Sequence, residues 1–320
     1  MTEQRSASGL PQIDLKALVA MGGGTDLLFP PPQEIIPGVL SYLNHPFALV
    51  HGYRFLRLSL HVPRGTADAT PVVVYASGGG FRLSATHIGP WRCLLHHGYA
   101  VAAVEYRVAS EIKHPGPLYD VKGAVRWLRA NAADFGLDTD RIAAWGSSAG
   151  GYLLSMAAVT NGTAEFEGDV GGNLEHSSEI AAVIDHYGPT DFLAMAEDTN
   201  EVPGVMERFG MPTSSDSVYL GYVPQERPDE AAKAAVTTYV NERTVPFLIM
   251  HGDADTRLGI GQSRRLYEAL RRAGVEATFH VLPGANHAAP AFQADDVNAL
   301  AVAFVNHHIR AAKLARAASV

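Results

Sequence analysis

Ile142-Ala143-Ala144-Trp145-Gly146-Ser147-Ser148-Ala149-Gly150-Gly151-Tyr152-Leu153-Leu154-Ser155-Met156 decides the fold of this chain. An apolar run ends in Gly146, and a second apolar run begins after Gly150-Gly151. That is the pattern of a buried strand turning sharply into a helix, with a serine at the apex of the turn. The two backbones come so close there that a Cβ at position 146 or 150 would collide with its neighbours, while the serine is held exposed in a strained conformation. Ser148 is the candidate nucleophile. A Gly-x-Ser-x-Gly match alone is a weak signal, because glycine and serine are common in loops, so its weight comes from the rest of the chain.

Upstream, Val72-Val73-Val74-Tyr75-Ala76 runs into Ser77-Gly78-Gly79-Gly80-Phe81, a glycine-rich loop placed to offer backbone N–H groups to an oxyanion. Downstream, Pro246-Phe247-Leu248-Ile249-Met250 leads to Asp253 and Asp255, and Leu282-Pro283-Gly284-Ala285-Asn286 leads to His287. The resulting chain order, serine then acid then histidine, is neither that of chymotrypsin nor that of subtilisin. Each group has a task. The serine hydroxyl needs a base to take its proton, and His287 alone of the 14 histidines stands in the loop after the last strand-like run. An aspartate must hold the imidazole in the right tautomer, and Asp253 and Asp255 compete for that role. The N–H groups of Gly79, Gly80 and Ala149 are the candidate oxyanion donors, with glycine expected at 79 and 80 so that no Cβ stands between backbone and substrate. The other histidines are assigned structural roles: His96 and His97 on one helix, His307 and His308 on another, and His251 bracing a turn at a strand end. No pair of them has zinc-protease spacing, so neither metal nor cofactor is expected.

Strand-like and helix-period runs alternate along the chain, which predicts an α/β fold with a mostly parallel sheet and helices on both faces. Strands are predicted over 72–77, 99–106, 141–146, 180–186, 246–251 and 276–282, and helices over 117–134, 261–273 and 294–313. Leu56 to Val62 alternates strictly and reads as a half-exposed antiparallel edge strand. Residues 1–45, broken by Pro30-Pro31-Pro32 and Pro37, read as an extension packing on the core, and Gly22-Gly23-Gly24 follows no strand and is no phosphate loop. The core then divides into 46–190 and 244–320 around an insertion at 191–243. Phe192, Met195, Met206, Phe209, Met211, Tyr219 and Tyr222 make that insertion suited either to a lid over an acyl or aryl pocket or to a small core of its own.

On these features the chain resembles the α/β-hydrolase carboxylesterases of the hormone-sensitive-lipase type, and more closely the bacterial esterases grouped with bifunctional feruloyl/acetyl-xylan esterases. The resemblance covers about residues 55–310. It rests on the loop at 77–81, Glu105-Tyr106-Arg107-Val108, Asp120 to Leu128, Asp140-Arg141-Ile142, Trp145 to Gly151, Tyr187-Gly188-Pro189-Thr190-Asp191 and His251-Gly252-Asp253-Ala254-Asp255. It implies a serine esterase acting on small or medium acyl or aryl esters. It also implies that Asp255, the second acid of the His-Gly-Asp-x-Asp motif, is the triad member, with Asp253 holding the turn. An amidase or peptidase using the same triad, and a non-catalytic binding protein, are the alternatives. Two positions depart from the family pattern. Ser77 stands where a histidine usually braces the oxyanion loop, and Leu258-Gly259 replaces Val-Pro, so both loops are expected to be looser.

Composition agrees with a globular enzyme. Of 320 residues, 47% are apolar and 18% charged, enough for a large core. A net charge of −8 with both signs interspersed argues against a nucleic-acid partner and against a polybasic membrane patch. The single cysteine, Cys93, admits no internal disulfide and suits a reducing compartment, and no long hydrophobic run at 1–20 suggests a secretory signal. The expectation is a cytoplasmic protein without a membrane span, whose partner is a small ester, with a homo-oligomer compatible.

Overall fold

A computed structural model of the protein describes residues 29–50, 54–65 and 68–311. Nine strands form one sheet: β1 (Gln33–Ile36), β2 (Val39–Leu49), β3 (Phe55–Pro63), β4 (Thr70–Ala76), β5 (Ala100–Val104), β6 (Leu137–Ser147), β7 (Ala182–His186), β8 (Phe247–Gly252) and β9 (Ala277–Leu282). Their order is β1-β2-β3-β5-β4-β6-β7-β8-β9, with β1, β2 and β3 antiparallel and every pairing from β5 to β9 parallel. Among the described residues the α-helices are α1 (Arg92–His96), α2 (Gly116–Ala130), α3 (Ala149–Val159), α4 (Met195–Thr199), α5 (Ser215–Leu220), α6 (Pro228–Lys233), α7 (Gly261–Arg272) and α8 (Asp295–Val305).

The parallel strands are continuous apolar runs because both faces are covered. Val72, Val74 and Ala76 of β4 point into a core shared with Val121 and Val125 of α2, Leu153 and Leu154 of α3, and Leu266 and Leu270 of α7. Val73 and Tyr75 point the other way, towards Leu94 and Leu95 of α1 and Val297, Ala301 and Val305 of α8. Each such buried Val or Leu contributes about 1.5–3 kcal/mol. This is an α/β-hydrolase fold, and the C-terminal ends of β4, β6, β7, β8 and β9 meet at one edge, where open parallel sheets bind their ligands.

Three readings change at the margins. Residues 56–62 are not an edge strand, since β3 pairs with β2 on one side and β5 on the other. The polar members of its alternation are buried and paired: Ser59 donates to Thr86 Oγ1 at 3.0 Å, and His61 Nδ1 meets Ser41 Oγ at 2.9 Å while its ring stacks on Trp91. Residues 33–45, within the expected extension, enter the sheet as β1 and the start of β2, with Pro37 in the turn between them. The stretch Gly22-Gly23-Gly24 lies outside the described residues. The helix expected over 117–134 ends at Ala130 and continues as a 3-10 turn stopped by Gly136 in a left-handed conformation. Beyond α8 the chain widens into a π-helical turn over 306–311.

Candidate active site

Ser148 sits between β6 and α3 with φ 53° and ψ −121°, a backbone conformation that side-chain-bearing residues rarely adopt. Its neighbours enforce it. A Cβ on Gly150 would overlap the carbonyl oxygen of Ala76, and one on Gly146 the backbone of Gly150, so helix and strands touch here with no room for a side chain. Ser148 N also donates to His186 O at 2.8 Å, tying the turn to β7. The hydroxyl is thereby aimed out of the sheet edge.

His287, five residues beyond β9, brings Nε2 to 3.1 Å from Ser148 Oγ and Nδ1 to 2.7 Å from Asp255 Oδ2. Its ring rests on Tyr187 with centroids 4.5 Å apart, and Phe292 packs edge-on against Tyr187 at the same distance. Asp255 is buried. Its Oδ1 accepts the N–H groups of Arg257 (2.8 Å) and Leu258 (2.9 Å), and its Oδ2 lies 3.2 Å from His251 Nε2 as well as near His287. Burial by itself would raise the Asp255 pKa, but the hydrogen bonds and charges of His251 and His287 hold it well below the usual carboxylate range. Asp253 is exposed and accepts Gly284 N at 2.6 Å, which ties the acid's loop to the histidine's loop. Of the two aspartates, Asp255 reaches the imidazole.

Among the described residues, the N–H groups of Gly79, Gly80 and Ala149 donate to no protein acceptor, and all three border the space beside Ser148. Ser77 does not leave their loop slack. It is fully buried, its Oγ accepts Ala85 N at 2.9 Å and its carbonyl accepts the Tyr106 hydroxyl at 2.8 Å. The reason for glycine at 79 also differs from the expectation: a Cβ there would overlap the carbonyl of Leu83, so the constraint is closure of the loop on itself and not occlusion of a substrate.

Two cavities flank the serine. One, of about 390 Å³, is lined by Tyr75, Leu83, Ile88, Tyr187, Phe292 and Gln293 among others. The other holds about 20 Å³ and is lined by Phe81, Met195, Phe209, Ser215 and Leu258 among others. Arg257 borders both, its guanidinium held by Glu207 at 3.3 Å. Of the residues singled out at 191–243, Met195 and Phe209 reach this small cavity, Phe192 and Tyr219 join Phe81 and Tyr152 in the core, and Met206 and Met211 are exposed. Tyr222 lies under Arg227. A larger cavity, about 680 Å³, opens at the other end of the sheet between Arg129, Asp140, Arg141, Glu179 and Arg243.

The BD-FAE family model matches residues 58–270. The chain belongs to the BD-FAE family. It is 28% identical over 221 residues to "Esterase LipC" of Mycobacterium tuberculosis, covering 68% of this chain and 52% of that protein. "Esterase LipQ" of the same organism is also 28% identical, over 68% of this chain and 50% of its own length. The chain thus spans about half the length of the curated relatives it matches. Among solved structures, a truncated carbohydrate esterase from gut microbiota superposes with a TM-score of 0.74 at 26% identity, over 84% of this chain and 95% of that one. A bifunctional GH43-CE protein of Bacteroides eggerthii gives 0.75 at 28% identity, over 84% of this chain and 38% of that one.

Elsewhere in this BD-FAE member, Cys93 is half-buried and burial pushes its thiol up to about 11, far from the thiolate a reactive cysteine needs. Glu276, His307 and His308 bring ligand-type atoms within 4.8 Å of one another near the start of β9, away from Ser148, a cluster that sequence spacing did not reveal. No helix among the described residues is long and apolar enough to cross a membrane. Sequence reasoning also missed that His251 touches the acid and that Arg257 borders the serine.

Proposed function

We propose that the protein hydrolyses carboxylic esters through an acyl-enzyme on Ser148, without metal or cofactor. The observation that carries this reading is the unbroken chain from Ser148 Oγ to His287 Nε2 (3.1 Å) and from His287 Nδ1 to Asp255 Oδ2 (2.7 Å), on a strained turn beside unpartnered backbone donors. The esterase names of its relatives agree with it. As Ser148 Oγ attacks the ester carbonyl, its proton passes to His287 Nε2, and Asp255 stabilises the imidazolium that forms. The carbonyl oxygen becomes an oxyanion facing the N–H groups of Gly79, Gly80 and Ala149, each such donor contributing roughly 3 kcal/mol in the transition state. Collapse releases the alcohol, which takes the proton from Nε2. Water then attacks the acyl-enzyme by the same route, giving the acid and free serine. The segment 191–243 acts as a cap, since Met195 and Phe209 line the smaller cavity beside Ser148. Cys93, half-buried and unpaired, agrees with a cytoplasmic location.

The test is a turnover screen of p-nitrophenyl esters from acetate to palmitate beside aminoacyl anilides, with wild type and Ser148→Ala. Ester turnover lost in Ser148→Ala, together with one organophosphonate adduct mapped to Ser148, is the expected result. Labelling at Ser147 or Ser77, or faster turnover of anilides than of esters, would overturn it.

A further inference from the structure

His251, the penultimate residue of β8 and four residues before Asp255, is fully buried, and among the described residues it is the one side chain besides His287 in contact with the acid's carboxylate. Its Nε2 lies 2.9 Å from Leu258 O and 3.2 Å from Asp255 Oδ2. Both partners are acceptors, so Nε2 must carry the hydrogen. Nδ1 is held by Ser263 Oγ of α7 at 2.7 Å, which locks the ring's orientation. The same carboxylate oxygen thus accepts His287 Nδ1–H at 2.7 Å and lies 3.2 Å from His251 Nε2, whose hydrogen points to Leu258 O, while Oδ1 is already filled by two backbone N–H groups.

We infer that His251 is a positioning residue of the active site: it fixes Asp255 Oδ2 towards His287 and shares that oxygen's charge, and so sets how strongly His287 holds its proton. The inference rests on the triad reading above. Two physical effects follow. A carboxylate held by three hydrogen bonds and backed by the His251 ring edge at 3.2 Å keeps one rotamer, so the imidazole keeps one tautomer and one direction. A carboxylate oxygen that also faces the polar Nε2–H edge of His251 attracts the imidazolium of His287 less than one facing His287 alone, so loss of that edge strengthens the ion pair and shows in the acid limb of the pH profile. The charged and titratable groups facing this cluster are His251 on β8, Tyr187 after β7 with Asp185 on β7, and Arg257 with its partner Glu207. Among the described residues, the side chains that touch the acid's carboxylate are His287, by a hydrogen bond, and His251, at 3.2 Å.

The experiment compares wild type, His251→Phe, His251→Gln and Ser263→Ala by kcat and by the acid limb of kcat/KM against pH on p-nitrophenyl acetate, with circular dichroism and melting curves as fold controls. Removing the N–H in His251→Phe should move the acid limb upward by about half to one pH unit and lower kcat about tenfold, with KM little changed. His251→Gln, whose amide can donate from the position of Nε2, should restore the limb to within a few tenths of a unit of wild type. Ser263→Ala, a milder change that decides the matter should the phenylalanine variant not fold, should shift the limb in the same direction by less. A limb that stays at the wild-type pH in folded His251→Phe or in Ser263→Ala would overturn the inference, leaving His251 as a packing residue whose loss lowers only the melting temperature. Phosphonate labelling of the wild type separates the two readings. Labelling at Ser148 with an unmoved limb refutes the role of His251 alone, and no labelling there refutes the triad and this role with it.

Discussion

Replacing Asp255 with asparagine tests the geometry of the acid more sharply than deleting it would. An asparagine offers one oxygen and one NH2, and the site dictates which goes where. The Oδ1 position faces two backbone donors, Arg257 N and Leu258 N, so it must remain an acceptor. The NH2 therefore takes the Oδ2 position, where it confronts His287 Nδ1 at 2.7 Å and the N–H of His251 at 3.2 Å. His287 can answer only by turning Nδ1 into an acceptor, which puts its hydrogen on Nε2, facing Ser148 Oγ, where it can no longer take the serine proton. The wrong tautomer costs about four orders of magnitude in kcat, or roughly 5 kcal/mol of barrier. Asp253→Asn, whose oxygen can still accept Gly284 N on the exposed surface, should keep kcat within about a factor of three and move melting by a fraction of a kcal/mol. The assay is steady-state hydrolysis of p-nitrophenyl acetate with circular dichroism on both variants. A folded Asp255→Asn enzyme retaining more than about a tenth of wild-type kcat, or a larger loss in Asp253→Asn, would refute the reasoning.

Asp185, opposite Gly146 in the pairing of β6 with β7, is fully buried and accepts Gly188 N, and burial pushes its pKa up to about 7. The folded state then holds a proton that the unfolded chain releases near pH 4, so stability falls as pH rises from about 4 to about 7, and Asp185→Asn should gain in melting temperature over wild type progressively across that window; a difference independent of pH would count against it. Ser77→His, which forces an imidazole into a fully buried position and removes the acceptor of Ala85 N, should lower both melting temperature and kcat, the lost hydrogen bond alone costing about 1–3 kcal/mol, and a folded variant with raised kcat would show that the loop had slack.

The parallel core was legible because strands covered on both faces need unbroken apolar runs, and the turn at Ser148 was legible because its constraints are local: Gly146 and Gly150 stand where any Cβ would strike backbone. What depended on distant partners was not. The alternation of β3 suggested solvent on one face, yet Ser59 and His61 meet Thr86, Ser41 and Trp91, residues remote in sequence. Residues 33–45 looked irregular because prolines and polar residues suit an edge strand as well as an extension, and only pairing with β3 distinguishes them. Asp253 and Asp255 could not be ranked from spacing. Their difference lies in which one its own turn buries, seen in the Arg257 and Leu258 N–H groups folding back on Asp255. His251 gave no sign beyond its motif, because its contact with the acid exists only once β8 ends and the loop returns over it.

Leu258-Gly259, in place of the family's Val-Pro, was expected to loosen the acid's loop, and the packing shows the opposite. Gly259 N donates to Thr199 Oγ1 at 2.9 Å, and a Cβ at 259 would overlap the carbonyl of Asp198, both residues of α4. A proline there would lose that N–H and fill that space. The Asp198 carboxylate in turn takes Gln262 Nε2 and Arg265 Nε at 2.7 and 2.8 Å, so α4 clamps the start of α7 and the loop before it. Leu258, next in line, supplies an N–H to Asp255 and a carbonyl to His251. Any shift at 259 therefore reaches the acid. Gly259→Ala must push α4 and the loop apart, an overpacking cost of about 1–3 kcal/mol, and the displaced Leu258 should misplace Asp255 and lower kcat about tenfold or more, with KM less affected. Melting curves and kinetics on one short ester read both effects in the same preparation. Wild-type melting and kcat in Gly259→Ala would mean that α4 does not hold the acid in place, and that the glycine serves no purpose beyond its size.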